Sequence, residues 1–71
     1  MKKEILIKFG KKVRETRIKQ NLSQEALALK AGVHRTYIGM IERAEKNITL
    51  ENIEKITKAL SLNLKDIFKD F

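Results

Sequence analysis

The side chains best suited to recognition chemistry lie near the middle of the sequence, where Arg35 and Thr36 begin a short segment. An arginine can donate two hydrogen bonds to O6 and N7 of guanine, and a threonine can bond a base edge or a phosphate. The 71-residue sequence offers few candidate catalytic residues, because it contains one histidine and no cysteine. We therefore expect no enzyme, no bound metal or cofactor and no small-molecule ligand.

A helix from His34 to Arg43 would present these side chains on one side. If Ile38 and Ile41 are buried, an advance of about 100° per residue places a second group outward. That outward group comprises Thr36, Gly39, Met40 and Arg43.

Such a helix could read base pairs, because its first turns would reach deepest into a major groove. Arg35 would then contact guanine and Met40 a thymine methyl, while Gly39 would let the helix approach the groove floor. The alternative is that these are ordinary surface residues. We predict base readout by Arg35, Thr36, Gly39 and Met40.

The preceding segment predicts a second helix packed tightly against the first. Leu27, Ala28 and Ala31 share one side of it, and the small Ala28 allows a close crossing. Gly32 stands at the joint, where a positive φ is needed to end one helix and begin the next. Residues 23–43 thus predict a helix-turn-helix with Ser23 as the N-cap of its first helix.

Three more helices complete an all-α, five-helix domain over residues 1–71. The first spans about Lys3 to Gln20, ending at a left-handed Asn21. The fourth is capped by Thr49 and buries a stripe made of Leu50, Ile53, Ile56 and Leu60. A capping box of Asn63 and Asp66 opens the fifth. Gly10, inside the first helix, has no explanation from the sequence.

Charge and hydropathy limit the location and partners. The net charge is +7, and residues 1–20 hold eight lysines and arginines against two glutamates. Such a basic chain suits a polyanionic partner, although solubility alone could also account for it. The longest apolar run, Ala26 to Leu29, is far too short for a membrane span, so we expect a cytoplasmic protein with no membrane partner.

Three further polar residues have structural interpretations. Glu42 would lie near phosphates, so we expect it to form an ion pair with Arg17 of the first helix. Tyr37 flanks the buried side of its helix, from which its hydroxyl could still reach a phosphate. His34 has no second histidine or cysteine to share a metal with, and it is predicted to be a cap or first-turn residue.

The pattern of these residues resembles that of a known family. Gln24-Glu25, Leu27-Ala28 and Ala31-Gly32-Val33, followed by Ile38, Ile41 and Glu42, resemble the Cro and phage-repressor (XRE-type) helix-turn-helix proteins. The stretches from Arg35 to Ile38 and from Ile41 to Arg43, with Asn47 and Thr49, resemble the controller proteins of restriction-modification systems in particular.

The resemblance implies a lambda-repressor-like fold and specific contacts with DNA. It implies base readout by Arg35 and Thr36, an internal Arg17–Glu42 pair, and phosphate contacts by Gln24 and by residues after the third helix. With Ser23 and Tyr37 added, the predicted phosphate contacts are Ser23, Gln24, Tyr37, Arg43, Lys46, Asn47 and Thr49.

The resemblance also implies a homodimer joined through the C-terminal helices, at about residues 49–71. This agrees with four cations and four anions in that region and with its apolar residues. The predicted dimer interface comprises Leu62, Leu64, Ile67, Phe68 and Phe71.

The leading hypothesis is a DNA-binding transcriptional regulator that binds a pseudo-palindromic operator on double-stranded DNA as a homodimer. It could be the controller of a restriction-modification system, with RNA polymerase as a further candidate partner. The alternatives are a prophage-type repressor, or an interaction module such as an antitoxin or a bridging factor. An interaction module is less expected, because the five predicted helices leave no separate segment to bind a partner. Operator sequence, half-site spacing and the choice between activation and repression stay open.

Overall fold

Five helices in the order predicted make up the computed structural model, which describes residues 3–69. They are α1 (Glu4–Lys19), α2 (Gln24–Ala31), α3 (Arg35–Glu42), α4 (Leu50–Ala59) and α5 (Leu64–Phe68). No strand occurs within the described range. The all-α fold class and the helix-turn-helix of α2 and α3 are confirmed.

Side-chain caps begin three of these helices, because the first N–H groups of a helix have no intrahelical acceptor. Ser23 Oγ accepts from the N–H of Ala26 at 2.9 Å, and Thr49 Oγ1 accepts from Asn52 at 3.1 Å. His34 Nδ1 accepts from Thr36 at 3.0 Å, so His34 is a cap as predicted. The prediction of a capping box at the start of α5 was wrong.

Asn63 is the N-cap of α5, but its side chain makes no capping hydrogen bond to the backbone. Asn63 Nδ2 instead lies 3.4 Å from Asp66 Oδ2, so the two side chains contact each other. The side-chain contact thus replaces the reciprocal bonds to backbone N–H groups that define a capping box.

A left-handed residue follows each of the first four helices and sets the direction of the next one. Gly32 has φ 73°, and Asn21 has φ 57°, as both predictions required. The N–H of Val33 returns to the carbonyl of Ala28 at 3.0 Å, which closes the turn between α2 and α3. Ala44 and Ser61 also adopt positive φ, and neither residue type signals it.

The core lies where α1, α2, α3 and α4 meet, and α5 covers one end of it. Its buried residues are Phe9, Val13, Leu27, Ala28, Ala31, Ile38, Ile41, Ile56, Ala59, Leu60 and Ile67. The predicted stripe of α4 is right for Ile56 and Leu60 and wrong for Leu50, which is 85% exposed. Leu50 is the first residue of α4 and borders a groove with Leu64 and Phe68 instead of entering the core.

Gly10 lies where the backbone of α1 comes close to the backbone of α3. A Cβ at Gly10 would collide with the backbone carbonyl oxygen of Ile41 and would lie 3.1 Å from that of Glu42. Only a residue without a side chain lets the two backbones come this close. The glycine therefore fixes the position of the C-terminal end of α3, which explains the residue that the sequence left unexplained.

Within residues 3–69, each helix is too short or too polar to span a bilayer.

Candidate nucleic-acid interface

The beginning of α3 presents its side chains to solvent. Arg35 and Thr36 are both exposed, whereas Ile38 and Ile41 on the opposite side are buried. His34 caps the same turn, so the backbone that carries Arg35 and Thr36 is held in helical geometry. These positions meet the requirement for base contacts, and the contacts themselves stay a prediction.

Arg35 has an ionic neighbour, Glu25 on the first turn of α2. Arg35 Nη1 lies 3.7 Å from Glu25 Oε2, and the two side chains are 66% and 77% exposed. An exposed pair at this distance is worth little, because water screens it and the side chains lose entropy. Arg35 can therefore exchange Glu25 for another partner at small cost.

Gly39 differs from the expectation of an open outward position. Gly39 is buried under the side chains of Arg43 and Gln24. A Cβ at this position would lie 3.1 Å from Arg43 Nη1 and 3.4 Å from Gln24 Oε1. Met40 is half-buried. A DNA base could approach Gly39 only after the side chains of Arg43 and Gln24 had moved. Helical periodicity gave the right side of the helix but missed the long polar side chains that cover it.

The predicted partners Arg17 and Glu42 lie together behind this surface. Arg17 Nε and Nη2 donate to Glu42 Oε2 and Oε1 at 2.7 and 3.0 Å, and Arg17 Nη1 donates to the carbonyl of Leu22 at 2.8 Å. The two side chains are 12% and 3% exposed. Their hydrogen bond raises the pKa of Arg17, so the guanidinium stays charged.

Gln24 extends this pair to the edge of α2. Its Nε2 donates to Glu42 Oε1 at 3.1 Å, a contact that sequence reasoning did not predict. An amide NH₂ has two donor positions, so one remains for a phosphate while the other is held by Glu42. The Arg17–Glu42–Gln24 network thus orients a predicted phosphate contact.

The other predicted phosphate contacts differ in their surroundings. Arg43 Nε donates to Glu45 Oε1 at 3.0 Å, and Lys46 and Asn47 are exposed between α3 and α4. Ser23 and Thr49 are exposed, and their hydroxyl oxygens serve as helix caps, which leaves each hydroxyl able to donate to an anion.

Tyr37 is half-buried and makes a contact that the sequence did not predict. Its hydroxyl accepts a hydrogen bond from Asn52 Nδ2 at 3.0 Å, which joins α3 to α4. No sequence signal marks Asn52, because helical periodicity says nothing about which polar side chain of another helix lies beside it.

The predicted dimer surface is only partly exposed. Leu64 is 46% exposed, Leu62 and Phe68 are half-buried, and Phe68 stacks on Phe9 with 6.3 Å between ring centroids. The prediction that Ile67 lies in the dimer interface is corrected, because this side chain is 4% exposed and packs in the core of its own protomer. Phe71 lies outside the described residues.

Comparisons with known proteins find relatives of this helix-turn-helix. The HTH_3 model, described as helix-turn-helix, matches residues 13–67. The chain is 52% identical over 68 residues to the control protein C.BamHI of Bacillus amyloliquefaciens, covering 94% of this chain and 84% of that relative.

Two solved structures extend the likeness to the fold. The restriction-modification controller protein C.AhdI from Aeromonas hydrophila has a TM-score of 0.84 and 43% identity, covering 89% of this chain and 96% of that one. The controller C.Esp1396I, solved as a tetramer with its natural 35 base-pair operator, has a TM-score of 0.87 and 33% identity over 94% and 88% of the two chains.

These controllers are regulators and not enzymes, in agreement with the expectation drawn from the residue types. The chain therefore belongs to the XRE-type helix-turn-helix family, and its relatives there include controller proteins of restriction-modification systems.

Proposed function

We propose that this protein is a transcriptional controller of a restriction-modification system that binds operator DNA as a homodimer, with α3 of each protomer in the major groove. The observation that carries the proposal is the exposed start of α3, where Arg35 and Thr36 extend from a helix whose other side is buried. The likeness to C.BamHI, at 52% identity, favours a controller over a prophage-type repressor.

The network behind α3 supports rigid presentation of these side chains. Arg17 and Glu42 are both largely buried and hold Gln24, so the N-terminus of α2 keeps a fixed place relative to α3. A fixed geometry reduces the entropy lost on binding, which favours sequence-specific contacts. Exposed Lys46 and Asn47 would add phosphate contacts that are indifferent to sequence.

The charge distribution supports a DNA partner. The excess of cations over anions lies mainly in residues 1–20, where Lys11, Arg14 and Lys19 of α1 are exposed. Neutralising phosphates releases their counterions, so binding by such a surface weakens steeply with salt. The balanced charge of residues 49–71 leaves the opposite end of the sequence suitable for contact with a second copy.

An apolar groove supports the homodimer. It is lined by Leu50, Ile53, Leu64 and Phe68, with Glu51 and Glu54 beside them. Leu50 is 85% and Leu64 46% exposed, and covering such side chains is favourable by about 25 cal/mol for each Å² of apolar surface. A second copy would supply the same groove across a two-fold axis, as a palindromic operator requires.

Binding is tested by titrating the protein into labelled duplexes at several salt concentrations. A duplex selected from a random pool should form a competitor-resistant complex, and log affinity should fall linearly with log salt concentration. Half-sites should lie about one helical turn apart. Equal affinity for all duplexes would refute sequence-specific regulation.

Dimerisation is tested by sedimentation at micromolar concentration. Leu29 and Leu50 are both 85% exposed, which makes them a matched pair. Leu50→Ser should shift the dimer towards monomer, whereas Leu29→Ser, outside the groove, should not. A wild-type protein that sediments as a monomer at that concentration would count against the palindromic operator.

The proposed controller would regulate transcription, and RNA polymerase is its candidate protein partner. Transcription from a promoter that carries the selected duplex should change when the protein is added to purified polymerase. The direction of the change separates activation from repression, and an unchanged transcript level would contradict the controller role.

A further inference from the structure

A hydrogen bond joins the first turns of α3 and α4. Tyr37 is the third residue of α3 and Asn52 the third residue of α4. Asn52 Nδ2 donates to the Tyr37 hydroxyl oxygen at 3.0 Å, in a partly buried position. The bond therefore lies two residues along the chain from Arg35, at the end of α3 that is proposed to read DNA.

Both ends of this bond are held by other contacts. The N–H of Asn52 donates to Thr49 Oγ1 at 3.1 Å, which fixes the turn that carries the amide. Tyr37 packs against the core, so its ring is supported on one side. With the oxygen also held by Asn52, the ring has little freedom to rotate away.

The direction of the bond limits what the Tyr37 hydroxyl can do next. A phenol oxygen donates one proton and accepts through its lone pairs. Because the amide of Asn52 occupies the acceptor side, the hydroxyl proton is directed to another group, which must be an acceptor. The DNA backbone supplies acceptors as phosphate oxygens, and base edges supply N7, O6 and O4.

We infer that Asn52 is a positioning residue that holds the Tyr37 hydroxyl as a hydrogen-bond donor to DNA. This role rests on the proposed function, since it has meaning only if α3 binds DNA. Asn52 itself does not need to touch DNA. It acts through Tyr37, so its substitution should matter only while the hydroxyl is present.

A double-mutant cycle tests the inference, with affinity for the selected duplex and for an unrelated duplex measured for each variant. The cycle uses Asn52→Ala, Tyr37→Phe and the double substitution in the full chain. Asn52→Ala should weaken binding to the selected duplex by about three- to tenfold in the presence of the Tyr37 hydroxyl, and by less than about twofold in the Tyr37→Phe background.

Asn52→Asp sharpens the test, because a carboxylate can only accept and would take the Tyr37 proton away from DNA. Its added negative charge acts whether or not the hydroxyl is present. The loss of affinity should therefore be larger in the wild-type background than in the Tyr37→Phe background, and the difference isolates the diverted proton from the charge.

Gln20→Ala is the matched control for losing an amide hydrogen bond between elements. Gln20 Nε2 donates to the carbonyl of Leu60 at 2.8 Å, at the opposite end of α4 from Asn52. This variant should lower the melting temperature without changing the affinity for the selected duplex. Asn52→Ala should lower that affinity.

Two results separate the inference from the function on which it rests. Equal losses for Asn52→Ala in the two backgrounds, or a lower melting temperature with an unchanged affinity for the selected duplex, would overturn the role of Asn52 alone. A wild-type protein with no preference for any duplex would overturn the proposed function, and the role of Asn52 with it.

Discussion

The two sides of α3 are built in opposite ways. The inner side meets α1 backbone to backbone at Gly10, and its Glu42 forms a largely buried pair with Arg17. The outer side begins with exposed Arg35, and its Gly39 is covered only by long polar side chains. The inner side therefore fixes where the helix lies, and the outer side can be changed without unfolding it.

The largest expected difference between the sides is in their ion pairs. Glu42→Ala leaves the Arg17 guanidinium largely buried without its carboxylate, which should lower the free energy of unfolding by about 3 kcal/mol. Glu45→Ala removes the carboxylate that pairs with Arg43 at 3.0 Å, where the side chains are 43% and 55% exposed. That loss should be below about 1 kcal/mol.

Chemical denaturation of the two variants measures this difference. Their charge change is identical, so a general effect of net charge cancels between them. Similar losses of stability would mean that the inner pair is not the stronger restraint on α3, and the contrast between the two sides would fail.

The second difference concerns the two helical glycines. Gly10→Ala brings a Cβ against backbone carbonyl oxygens that cannot move without shifting α3, so it should cost about 2 kcal/mol despite better helix propensity. At Gly39, the nearest atoms belong to the side chains of Arg43 and Gln24, which can move by a few tenths of an ångström. Gly39→Ala should therefore leave stability unchanged or raise it by up to about 1 kcal/mol.

Thermal unfolding of both variants and affinity for the selected duplex provide the measurements. Gly39→Ala should keep or gain stability and still weaken DNA binding, because it displaces Gln24, a proposed phosphate contact. A stable Gly10→Ala variant would show that α1 and α3 are not held as closely as the structure places them.

Local sequence rules accounted for what depends on neighbours along the chain. Caps such as Ser23 and Thr49, and the left-handed Gly32, follow from residue type at a helix end. The Arg17–Glu42 contact was expected from the need to neutralise Glu42 near phosphates and from family resemblance. The caps and the left-handed turn needed only a helix boundary and one residue of suitable chemistry, whereas the Arg17–Glu42 contact joins α1 to α3 and needed the charge argument and the resemblance.

The features that escaped prediction depend on contacts between distant helices. Gly10 is explained by a carbonyl of α3, and Asn52 by a hydroxyl of α3. Leu50 was assigned to the core by periodicity, yet it is largely exposed on the first turn of α4. Helical periodicity predicts on which side of a helix a residue lies. Whether that residue is buried depends on the angle and distance at which the neighbouring helices pack.

The smallest expected effect separates two cations in the region proposed to face DNA. Arg35→Ala should leave stability unchanged, because the side chain is 66% exposed, and should reduce discrimination at one base pair in each half-site by about tenfold. Lys46→Ala should weaken all duplexes alike and make the salt dependence shallower by about one unit of slope.

Affinities for the selected duplex and its single-base-pair variants, each measured across a salt series, distinguish the two. A uniform loss for Arg35→Ala would assign that arginine to phosphates instead of bases. The outer side of α3 would then supply attachment without sequence readout, and specificity would have to come from Thr36, Tyr37 or the deformability of the operator.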